Sequence, residues 1–184
     1  MNLPMPDRVA EKRQRMLVAA RDLFLRNGLR GTTMEAIARA AHVAKPTLYA
    51  QFADKDAVFN ALVETMAGEI HRAVDGGLAS EGPAAVRIGR ALADKYGLML
   101  HLLDGSPHAA EIYTEQARQP AQYQALDQAV EDKFTAVLDE AGIAQPRELA
   151  RLVIAAASGI GRSYRDEASL RAAIMVLCER VILA

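Results

Sequence analysis

Few residues in this 184-residue chain have the types and spacing that bond-making chemistry requires. His101, His108, Glu111 and Glu115 are potential metal ligands, and positions three or four apart share a helix face. No cysteine and no compact histidine spacing completes a ligand set, so solvated helix surface is their expected role and no metal is expected. Cys178 stands in register with Ile174, Leu177 and Val181. That spacing makes it a buried small hydrophobe rather than a thiol sensor, and a lone cysteine forms no intrachain disulfide. There is no glycine-rich phosphate loop and no nucleophile beside a plausible base, so neither catalysis nor a cofactor is expected.

Residues 33–55 suit another kind of chemistry, the non-covalent recognition of a polyanion. Lys45, Pro46, Thr47, Tyr49, Ala50 and Gln51 form one short polar run, and Lys55 follows it. Pro46 belongs in the first turn of a helix, where its missing N–H is not needed, and neighbouring amides stay free for phosphate. A lysine at a helix start opposes the helix dipole, so Lys55 is expected to meet an external anion. The charge distribution agrees with this reading. Residues 1–60 hold ten lysines and arginines against six acids, a net of +4, and the rest of the chain carries −5 within an overall −1. A basic head on an acidic body fits a chain whose first third meets nucleic acid.

The elements that must position these residues are helices throughout. Apolar residues recur at helical spacing, as in Met16, Leu17, Ala20, Leu23 and Phe24, and alternation of period two is absent, which predicts an all-α fold. About nine helices are expected, near 8–27, 33–40, 45–51, 54–75, 84–103, 107–118, 120–141, 146–162 and 167–183. The breaks fall at Asn27-Gly28, Gly76-Gly77 to Gly82-Pro83, Gly105 to Pro107 and Gly142 to Pro146. The helices at 33–40 and 45–51 are too short to stand alone. Thr33 caps the first of them, Ala38 and Ala41 permit a close crossing, and Val43 and Leu48 fix its angle. Two short helices joined in this way make a helix-turn-helix, whose second helix enters the major groove. The expected division is a three-helix DNA-binding head, residues 1–53, and a helical regulatory and dimerisation bundle, residues 54–184. No apolar run reaches the length of a membrane span, and no export leader is recognisable, so a cytoplasmic protein is expected.

From residue 11 to 63 the sequence resembles the tetracycline-repressor (TetR) family in continuous register. The resemblance rests on Ala19, Ala20, Leu23, Phe24 and Gly28, then Thr32-Thr33-Met34, Ile37-Ala38, Thr47-Leu48-Tyr49, Phe52 and Asp54-Lys55-Asp56. It implies phosphate contacts from Thr33, Tyr49 and Lys55, and places Lys45, Pro46, Thr47 and Gln51 at or near base edges. His42 departs from the pattern by standing where the family has a turn glycine, in a left-handed conformation that suits histidine less well. Ala44 stands where a serine often caps the recognition helix, and forgoes that cap. Tyr49 is expected to pack its ring and turn its hydroxyl outward.

The resemblance further implies a transcription regulator, a repressor that binds a near-palindromic operator and is released by a small-molecule effector. It also implies a cavity in the second domain, for which Tyr96, Met99, Tyr113, Tyr123, Phe134 and Arg162 are candidates, each equally explicable as ordinary packing. Few positive side chains lie in 84–141, which points to an apolar or amphipathic ligand. A hydrophobic fraction of 51% suggests that one chain covers another. The apolar faces of the last two helices, Leu149, Leu152, Val153, Ala156 and Ile160 with Leu170, Ile174, Leu177 and Val181, predict a four-helix homodimer interface. The rival reading is a helical ligand-binding protein or enzyme with a residual helix-turn-helix and no operator.

Overall fold

The computed structural model describes residues 5–103, 106–108 and 120–182, and regular structure among them is entirely helical. Eight helices are described: α1 (Met5–Gly31), α2 (Met34–Ala40), α3 (Lys45–Tyr49), α4 (Lys55–Leu78), α5 (Ala84–Leu103), α6 (Pro120–Glu140), α7 (Pro146–Ser163) and α8 (Glu167–Ile182). The helix expected at 107–118 lies outside the described residues beyond a turn at 107–108. No helix among the described residues is long and apolar enough to cross a membrane.

Three boundaries differ from expectation for local reasons. Helix α1 runs on past Asn27, but Gly28 leaves helical geometry there (φ 74, ψ 167), so the sequence signal marks a kink rather than an end. Only glycine adopts those angles without strain. Helix α4 continues through Gly76-Gly77 to Leu78. Gly77 is needed for packing rather than termination, because a side chain there would collide with the Ala91 backbone of α5. Helix α3 ends at Tyr49, and the Gln51 and Phe52 amides both return to the Leu48 carbonyl, at 3.0 and 2.9 Å. That tight turn buries the Phe52 ring.

The chain divides into two compact units, Met1–Met66 with Gly105–Arg118, and Ala67–Asp104 with Gln119–Ala184. In the first, Met16, Leu17, Phe24, Ile37 and Leu48 are fully buried, and Phe24 meets Phe59 edge to face at 5.9 Å. Each such side chain contributes about 1.5–3 kcal/mol through removal from water. In the second, α5 packs along α8, α6 along α7, and α7 against α8. Leu92, Phe134, Leu138, Leu170 and Ile174 form its centre.

Candidate nucleic-acid interface

The interface begins with Thr33, which is extended at φ −116 and whose Oγ1 accepts the Ala36 N–H at 3.2 Å, capping α2 as its position predicts. At the other end of α2 the His42 N–H donates to Arg39 O (3.2 Å) and the Val43 N–H to Ala38 O (3.0 Å). This is the Schellman pattern, which requires a left-handed residue just past the helix. His42 supplies it at φ 54. Helix α3 then starts at Lys45 with Ala44 as an N-cap that makes no side-chain bond. Ala38, Ala41 and Leu48 are buried at the crossing of the two short helices.

The outward surface of α3 and its exit consists of Lys45, Pro46, Tyr49, Ala50 and Gln51, all exposed, with Thr47 half-buried. Tyr49 corrects one expectation, since its ring is not packed away. The side chain is 43% exposed, and the Lys45 ammonium stands 5.8 Å from the ring centroid. Lys45 also pairs with Glu35 of α2. Hydrogen bonding to Lys45 holds the Glu35 carboxyl below its ordinary pKa, and the same bond raises that of Lys45. Sequence reasoning did not foresee Glu35, because the pairing depends on how α2 and α3 cross rather than on spacing along one helix.

Lys55 differs more from expectation. Its ammonium donates to Leu29 O at 2.6 Å and Thr32 O at 3.0 Å, the carbonyls that leave α1 past the Gly28 kink. Nearby, the Thr32 hydroxyl donates to Gly28 O at 2.8 Å. Carbonyl dipoles, rather than a required external anion, therefore offset the unfavourable position of Lys55 at a helix start.

In the second unit, Tyr96 and Phe134 are buried in the core and Met99 packs against it. Tyr96 lies so close to Gly161 that a β-carbon there would come within 2.7 Å of its ring. Arg162 is exposed, and its guanidinium donates to Ser158 Oγ at 2.8 Å, so it does not join Tyr96 and Phe134 in the interior. Tyr113 and the side chain of Tyr123 lie outside the described residues, as do Glu111 and Glu115. His101 Nε2 is 3.3 Å from Glu167 Oε2, and Cys178 is fully buried, its thiol pushed up to about 12 by loss of solvent.

The expected interface residues separate into two groups. Val153, Leu170 and Ile174 point into their own chain's core and are not available to a partner. Leu152 is 57% exposed, and Leu149, Ala156, Ile160, Leu177 and Val181 are half-buried. Val176, which was not among them, is also 57% exposed. Apolar periodicity alone cannot distinguish a helix face turned to its own core from one left outside.

Residues 16–62 match the family model described as bacterial regulatory proteins, tetR family. No curated protein gives a significant sequence match. Among solved structures, the chain resembles a TetR-like transcriptional regulator from Rhodococcus sp. RHA1 at 22% identity over 97% of both chains, with a TM-score of 0.71. It also resembles a TetR-family regulator from Streptomyces coelicolor (23% identity, 95% of both chains, TM-score 0.68). A third is a ketosteroid transcriptional regulator of Mycobacterium tuberculosis (18% identity, 91% of this chain and 93% of that one, TM-score 0.63). At these identities the likeness establishes the fold. An all-helical chain headed by a helix-turn-helix defines a class, the DNA-binding transcription regulators. The matched head, residues 16–62, and the shared fold make this chain similar to the TetR-family regulators.

Proposed function

We propose that the protein is a repressor that binds a near-palindromic operator as a homodimer and is released by a small-molecule ligand. Residues 1–53 bind DNA, and residues 54–184 bind ligand and dimerise. The observation that carries this reading is the exposed face formed by Lys45, Pro46, Tyr49 and Gln51 on and just after α3, held by a fully buried Leu48. Two such helices, about 34–36 Å apart in a dimer, meet consecutive major grooves. Lys45, Pro46, Thr47 and Gln51 read base edges, while Thr33 and Tyr49 hold phosphates. Lys55 brings its third N–H to a phosphate while the other two stay on α1. Lys45 exchanges Glu35 for DNA, and Glu35 disfavours wrongly placed phosphate. Leu152 and Val176 form the centre of the dimer contact on α7 and α8. The apolar interior around Phe134 supports an apolar or amphipathic effector, as does the resemblance to a ketosteroid regulator. Such a regulator works in the cytoplasm.

The test measures affinity for the chain's own upstream DNA and for a scrambled duplex at several salt concentrations. Tyr49→Phe should weaken both alike. Lys45→Ala and Thr47→Ala should relax the preference between them, by about 1–3 kcal/mol for a residue paired well with a base edge. Lys55→Ala should lower the slope of log affinity against log salt by about one, with a loss of head stability that Tyr49→Phe does not show. If all four bound like wild type, this recognition surface would be wrong.

A further inference from the structure

The ion pair of Lys45 with Glu35 sets a donor and an acceptor side by side at the start of α3. Both side chains remain about half exposed, so the pair faces solvent rather than the core. Spacing along one helix would have chosen another partner. Arg39 stands one turn beyond Glu35 on α2, where residues i and i+4 usually meet, yet the carboxylate turns to Lys45 on the other helix. The ammonium also lies 5.8 Å from the centroid of the Tyr49 ring, which steadies it from within its own helix. The bond to Lys45 holds the Glu35 carboxyl below its ordinary pKa, so at neutral pH that group only accepts.

A carboxylate has few partners on a surface that meets DNA. Phosphates repel it, and in the major groove only the amino groups N4 of cytosine and N6 of adenine donate. The two base pairs differ in what stands beside that amino group. On G·C, guanine N7 and O6 are adjacent acceptors, and the cytosine N4 donor follows about 2.9 Å from O6, across the Watson–Crick hydrogen bond. On A·T the amino group lies between two acceptors, adenine N7 and thymine O4, so a carboxylate there always has an acceptor next to it. An ammonium and a carboxylate in contact therefore match the G·C edge, donor against acceptors and acceptor against donor.

We infer that Glu35 reads a base: together with Lys45 it recognises one G·C pair in each half-site, Lys45 on guanine O6 and N7 and Glu35 on the cytosine N4 amino group. This deepens the DNA-binding reading above and rests on it. Lys45 gives up the carboxylate for guanine, and the carboxylate finds the cytosine amino group alongside, so one paired arrangement replaces another with little movement. The doublet carries no net charge, and it adds direction to the contact without adding attraction to phosphate at large. An acid in the first turn of α2 also favours the helix dipole, but that structural role by itself carries no base preference.

The experiment selects duplexes from a random-sequence pool with the full chain. Fluorescence anisotropy then compares the enriched duplex with versions in which single base pairs are inverted. Wild type should bind about tenfold more weakly for one particular G·C pair per half-site turned to C·G. Glu35→Ala should level that position and keep the other preferences. The charge-swapped double variant, Glu35→Lys with Lys45→Glu, retains an ion pair but exchanges donor for acceptor. It should reverse the preference and bind the C·G form about tenfold tighter. Circular dichroism verifies that the variants are folded. Loss of the preference without reversal in the double variant overturns the proposal, as does an unaltered preference in Glu35→Ala. A pool from which wild type enriches nothing sinks the DNA-binding reading as well. An enriched sequence with no position that responds to Glu35→Ala sinks the role of Glu35 and leaves the DNA-binding head.

Discussion

His42 and Gly142 do the same work at the ends of two helices. Each follows the last helical turn in a left-handed conformation, at φ 54 and φ 69, and each is followed by an amide that reaches back to close the Schellman bond. Glycine has no β-carbon to strain there, whereas an L-residue costs about 1–2 kcal/mol. The greater freedom of glycine in the unfolded chain returns about 0.5–1 kcal/mol of that. His42→Gly should therefore stabilise the protein by about 0.5–1 kcal/mol in urea unfolding. Lys95 gives a prediction of the same scale with a pH signature. Its folded pKa is depressed below 10.5, so between that value and 10.5 the unfolded chain binds more protons and stability rises with pH. The burial penalty is complete below the folded pKa. Lys95→Met should be more stable than wild type by about 1–4 kcal/mol at neutral pH, with the difference closing as pH approaches 10.5. Denaturant midpoints measured across that range check it. The left-handed turn at His42 was legible because the position in the pattern calls for glycine. The burial of Lys95 was not, because on α5 the apolar neighbours lie on every side and spacing assigns no exposed face.

At the scale of elements, the helix-turn-helix was legible from length and from small residues. Ala38, Ala41 and Leu48 occupy the crossing that their spacing predicts. What spacing could not supply was the tertiary partner of each charged or glycine residue. Lys55 was expected to await an anion and instead caps α1, and Gly76-Gly77 was expected to stop α4 and instead lies inside it. The two glycines are not equivalent. A β-carbon at Gly77 meets the backbone of Ala91 and comes within 2.9 Å of the Arg90 carbonyl carbon, whereas one at Gly76 meets nothing within 4 Å. Gly77→Ala should force α4 and α5 apart and cost about 1–3 kcal/mol. Gly76→Ala should stabilise the helix by up to about 1 kcal/mol through backbone propensity. Thermal unfolding of the two variants should move in opposite directions.

For the whole molecule, the charge division between +4 over residues 1–60, which contain the head, and −5 over the remainder was legible from the sequence alone. It favours encounter with DNA by the head. The homodimer proposed here depends on Leu152 and Val176, the large apolar side chains that α7 and α8 leave outside. Leu152→Glu puts a charge at that contact without touching the core beneath. It should give a monomer by sedimentation at micromolar concentration, with circular dichroism unchanged and operator affinity lost.

Cys178 has a consequence for how such a molecule can be watched. Its sulfur is wholly covered and its thiol is held near 12, so at neutral pH there is almost no thiolate for a reagent to find. Toward maleimides the folded chain behaves as one without cysteine. A cysteine introduced at exposed Ala50 would then carry the only dye or spin label on each chain. In a dimer, two such labels would act as a molecular ruler across the paired recognition helices, read with and without ligand and with the native sequence otherwise untouched.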